Sequence, residues 1–112
     1  MQIEQTSGLE IIDLYEKIGI DISTELGLGD LEKEDYIDRG KNWFETQKKS
    51  LQLKVCQSNT AAIVLKDDRK WDQILLIAAI ADLISSVLTN ISPITVAALI
   101  AKEGLHRFCE KK

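Results

Sequence analysis

ILLIAAIADLISSVLTNISPITVAALIA, residues 74–101, is the most apolar stretch of an otherwise polar chain, and its reading decides the fold. A membrane-spanning helix needs about 20 predominantly apolar residues in a row. Nineteen consecutive residues, Leu83 to Ala101, carry no charge. Ser85, Ser86, Thr89, Asn90, Ser92 and Thr95 interrupt them, however, and TNISP is a break signal. Serine caps a helix start and proline fits its first position, where the missing N–H has no partner to lose. Upstream, Asp82 would be costly near a bilayer centre. The stretch therefore reads as two helices joined by a tight turn, over 68–88 and 93–110, shielded by protein rather than lipid.

The first of these helices is apolar around most of its circumference, at Trp71, Ile74, Leu75, Leu76, Ile77, Ile80, Leu83, Ile84, Val87 and Leu88. Asp72, Ala79, Asp82, Ser86 and Thr89 fall on one narrow strip of small and polar residues. A helix greasy on several sides must be covered on several sides. This predicts that it lies centrally in a bundle, or that another chain finishes its cover.

Towards the N-terminus, LEKEDYIDRGKNWFETQKKSLQLKVC (31–56) reads as a long helix started by Asp30. Acids in its first turns and lysines late in it complement the helix dipole. Tyr36, Ile37, Gly40, Trp43, Phe44, Leu51 and Val55 mark its apolar face at helical spacing. Gly40 on that face points to a close crossing by another helix, the alternative being a glycine merely tolerated there at a cost of about 1 kcal/mol. SNTAAIVLKDD (58–68) reads as a short helix or turn capped by Ser58 or Asn59, a strand over AAIVL having nothing to pair with. SGLEIIDLYEKIG (7–19) reads as the first helix, with Ser7 and Glu10 at capping-box spacing and Gly19 as its stop. IDISTELGLGD (20–30) then reads as loop, or one turn at most. Its glycines lack the remaining features of a nucleotide-binding loop.

The 112 residues suit one all-α domain: a compact bundle of four to five helices with a C-terminal helical hairpin. Residues 1–29 form an acidic helix and glycine-containing loop, and 30–112 the main bundle. The net charge of -4 divides unevenly, -8 over residues 1–40 and +4 over 41–112. The acidic third is expected to lie across the basic remainder or to face a basic partner. The basic excess is diluted by Asp67, Asp68, Asp72 and Asp82, which argues against nucleic-acid binding. MQIEQTSGLE has neither the basic start nor the apolar run of a secretory leader, so a cytoplasmic location is expected. Cys56 and Cys109 are then expected to stay reduced and to pack as small hydrophobes.

No constellation points to catalysis, a metal or a cofactor. His106 is the single histidine, near a helix end that favours a cation. Cys109, three residues on, could form a thiol–imidazole pair with it, but nothing else completes a nucleophilic site. Asp82 reads as part of the hydrated strip rather than a buried ion pair. The acidic run DLEKEDYID lacks the order of a calcium-binding loop.

The expected function is a non-catalytic protein–protein interaction module, an accessory, adaptor or regulatory subunit that self-associates or binds a protein partner. The surface expected to serve it comprises Trp43, Phe44, Trp71, Leu75, Leu76 and Leu83, with one of Trp43 and Phe44 inward and the other at the rim. One alternative is a membrane-active, toxin-like protein whose 71–108 hairpin engages a bilayer interface when triggered. Another is an accessory component of a bacterial defence system.

Overall fold

A computed structural model describes residues 9–27, 31–66, 72–88 and 91–109. The described residues form an all-α bundle of six helices: α1 (Ile11–Leu26), α2 (Lys33–Cys56), α3 (Asn59–Lys66), α4 (Gln73–Ile84), α5 (Pro93–Glu103) and α6 (Leu105–Phe108). α4 runs on into one 3-10 turn, Ser85–Val87. Two helical hairpins, α1–α2 and α4–α5, pack on each other, and α3 and α6 close one end. At 24 residues α2 spans about 36 Å, which sets much of the 44 Å long dimension.

The hairpin expected over 71–108 is present, but its two helices divide the burial differently from the expectation. α5 is the central helix: all seven residues from Thr95 to Ala101 are buried. Ala97, Ala98 and Ala101 share one face of it, over which a neighbouring helix can approach closely. α4 buries only Ile77, Ile80 and Ile84, spaced by three and four along one edge. The more apolar helix is the outer one. Its start is also later than residue 68, because Asp72 is its cap, with Oδ1 accepting the Leu75 N–H at 2.8 Å. The cap and proline expected at α5 are both in place, with Ser92 Oγ accepting the Thr95 N–H and Pro93 in the first turn. The expected single helix to residue 110 is broken at Gly104, whose φ of 99° no helix accommodates.

α1 departs most from its expectation. It begins three residues later than a Ser7 cap would start it, with the Asp13 carboxylate accepting the Glu10 N–H at 3.1 Å; Ser7 itself lies outside the described residues. It then runs straight through Gly19 and the expected loop to Leu26. Gly27, at φ 72°, is the actual stop, its N–H reaching back to the Ser23 and Thr24 carbonyls.

Gly19 has another role. A Cβ there would overlap the carbonyl of Tyr36 on α2, and a Cβ on Gly40 would overlap the carbonyl of Tyr15 on α1. The two contacts are reciprocal: YEKIG (15–19) and YIDRG (36–40) carry the same Y-x-x-x-G pattern and face each other antiparallel. Backbone meets backbone at two points one turn apart. The close crossing expected at Gly40 is therefore real, and Gly19 is its mirror.

α2 starts at Lys33 rather than 31, and Asp30 lies outside the described residues. α3 is capped as expected, Ser58 Oγ accepting the Ala61 N–H at 3.0 Å. Asp21 of α1 accepts the Ser92 N–H at 3.2 Å, tying the first helix to the start of the central one.

Candidate functional site

α4 presents the candidate surface because only one of its edges faces the core. Seen down the helix, Ile77, Ile80 and Ile84 point inward. Leu75 and Asp82 lie opposite them and are exposed, with Ala78 and Ala79 half-buried between. Ile74 is 40% exposed and Leu75 53%, and Val87 in the following turn is 52% exposed. Leu76 and Leu83 sit half-buried on one flank, packed against the core. The polar strip is where the sequence places it: Asp72, Asp82 and Ser86 are exposed and Ala79 half-buried. Asp82 is therefore hydrated rather than buried. Thr89 lies outside the described residues.

The aromatic side chains expected at the rim separate. Phe44 is buried in the core, its ring 6.2 Å from Tyr15 and 6.1 Å from Phe108. It anchors packing and contributes to no surface. Trp43 is half-buried against the core beside it, so adjacent aromatics do divide into an inward and a rim position. Trp71 lies outside the described residues. Of the six expected surface residues, Leu75, Leu76 and Leu83 share α4.

Polar chemistry concentrates where α1, α2 and α5 meet. Lys48 pairs with Glu103 at 3.5 Å. Burial raises the Tyr15 phenol above its ordinary pKa, and the Glu103 and Glu45 carboxylates push the same way. Such a tyrosine holds its proton at neutral pH, which suits neither a base nor a nucleophile. Among the described residues no group of three or more His, Cys, Asp or Glu is placed to hold a metal ion.

The cysteines overturn their expectation. Cys56, the last residue of α2, and Cys109, just after α6, are joined as a disulfide across a sequence separation of 53. Two residues so far apart meet only through the tertiary fold, which returns residue 109 to the end of α2. Cys109 consequently has no thiol to pair with His106. The bond also removes the ground for expecting both cysteines reduced.

Further large apolar side chains are exposed away from α4, notably Ile12, Leu53 and Ile63. Leu53 and Ile63 are single side chains on α2 and α3, while Ile12 shares α1 with Ile11 and Ile20, which are also exposed. No described helix is long and apolar enough to cross a membrane. Among known proteins, no family model matches this chain, and no curated protein or solved structure matches it significantly.

Proposed function

We infer that the chain is a non-catalytic helical interaction module, an accessory, adaptor or regulatory subunit that works by self-association or by binding a protein partner. The observation that carries this reading is the outward side of α4. The most apolar of the described helices fully buries only Ile77, Ile80 and Ile84, while Ile74 and Leu75 stay 40% and 53% exposed. Large aliphatic side chains left in water along one helix cost free energy, at about 25 cal/mol per Å² of apolar area, that a partner would recover. Ala78 and Ala79 beside Leu75 permit a close approach, and Asp82 and Ser86 supply the polar edge that limits indiscriminate association.

The test is light scattering over a dilution series, comparing wild type with Leu75→Glu. The wild type is expected to gain mass with concentration, and the variant to stay monomeric with an unchanged thermal transition, since Leu75 adds little to the fold. A wild type that remains monomeric throughout, with Leu75→Glu indistinguishable from it in both size and partner capture, refutes the reading.

A further inference from the structure

The Cys56–Cys109 bond fastens the end of α2 to the segment that follows α5, with its Cα atoms 5.5 Å apart. That segment contains α6, only four residues long, too short to persist without tertiary support. Leu105 and Phe108 are buried, and Gln52 Nε2 donates to the Phe108 carbonyl at 2.7 Å. The segment hangs from Gly104, where a Cβ would meet no atom within 4 Å. It is thus a flap with a swivel in open space at one end and a covalent tie at the other. Beneath it lies apolar surface: Phe108 rests on Phe44, and Leu51, Val55 and Ala61 are buried nearby in α2 and α3. The same core continues away from this segment through Leu14, Ile18, Ile77, Ile80 and Leu99 on α1, α4 and α5.

Both cysteines are half-buried rather than sealed in the core. A half-buried sulfur is open to attack by a thiolate, which a sealed core disulfide is not.

We propose that the Cys56–Cys109 bond is a reducible latch, opened by a dithiol reductant so that residues 105–109 swing out about Gly104 and uncover the apolar groove beneath. One thiolate of the reductant attacks the sulfur of one cysteine, and the other cysteine leaves as a thiolate. The second thiol of the reductant then displaces the protein sulfur from the mixed disulfide. Two electrons and two protons pass to the protein, which holds two thiols, while the reductant becomes a disulfide. Oxidised dithiol reverses the exchange.

The experiment uses the full chain equilibrated with mixtures of reduced and oxidised dithiothreitol. Thiol labelling reads the bond, amide hydrogen exchange reads residues 105–109, an apolar-surface dye reads the groove, and far-UV circular dichroism reads the helices. On reduction, exchange at 105–109 is expected to rise at least about tenfold, as for a locally opened segment, with increased dye fluorescence and a nearly unchanged helical signal. Cys56→Ser and Cys109→Ser are expected to match the reduced protein at every mixture. Phe108→Ala, with both cysteines kept, is expected to loosen the same segment while the bond remains. The proposal is overturned by unchanged exchange at 105–109 after reduction, by collapse of the whole helical signal, or by free thiols in the oxidised mixture.

Discussion

Gly40→Ala tests the packing of the first hairpin most directly, because intrinsic preference and tertiary contact predict opposite signs. In an exposed helix the change would stabilise by about 1 kcal/mol, alanine being the better helix former. Here the new Cβ would lie 2.7 Å from the Tyr15 carbonyl carbon and closer still to its oxygen. Those atoms are backbone, which has no rotamer through which to retreat. α1 and α2 must part, and a gap of about 0.5–1 Å forfeits a quarter or more of each dispersion well along the seam. A buried leucine-sized side chain makes 40–60 contacts of about 0.1–0.2 kcal/mol, so each one loosened loses about 1–3 kcal/mol. Leu14 and Ile18, both fully buried on α1, bring the loss to about 4 kcal/mol, and the propensity gain reduces it to about 3 kcal/mol. For a domain of this size that lowers the melting temperature by about 12 °C. Urea unfolding followed by circular dichroism measures it. Gly19→Ala is expected to cost about as much, and the double variant less than the sum, since the first methyl group opens the gap that the second needs. Gly27→Ala is the control: nothing lies within 4 Å of its Cβ, so only the left-handed backbone penalty of about 1–2 kcal/mol applies. A Gly40→Ala protein as stable as wild type, or strictly additive glycine variants, would refute this account of the crossing.

Two further outcomes are expected. Asp72→Ala removes the acceptor for the Leu75 N–H and should cost about 1 kcal/mol, seen as a lower urea midpoint with an unchanged slope; no change would mean that another group caps α4. Tyr15 has its folded pKa raised above the ordinary phenol value, by burial first and by the Glu103 and Glu45 carboxylates second, so the folded state holds this proton more tightly than the unfolded chain does. Its contribution is full below pH 10 and is lost as pH rises through the folded pKa. Tyr15→Phe should therefore flatten the alkaline fall in stability, while an unaltered alkaline limb would place its cause elsewhere.

The C-terminal hairpin was legible because its signals are local: Ser92 and Pro93 start α5, whatever surrounds them. The sharing of burial between its helices was not. Hydropathy states what a helix tolerates, and α4 tolerates burial on several sides, but α5 with its small alanines fits the crowded centre better. Gly19 shows the same limit at one residue. A glycine four residues beyond Tyr15 satisfies both a helix stop and a close crossing, and only the presence of α2 decides between them. The duplicate Y-x-x-x-G pattern is present in the sequence but acquires meaning only once the two segments face each other. Within the candidate surface, the exposure of Leu75 and the inward or rim division of Trp43 and Phe44 follow from helical phase. The meeting of Cys56 with Cys109 depends on the whole path between them.

The reciprocal glycine contacts also determine which alignments of the first hairpin are possible. Sliding α1 along α2 by one turn in one direction would set Tyr15 against Tyr36, ring colliding with ring. Sliding it the other way would set Gly19 against Gly40 and leave a void where two side chains are missing. The native register is thus bracketed by an overlap and a hole, and the linker at residues 27–32 need not encode it. Lengthening that linker by a few flexible residues should leave the helices meeting at the same two points.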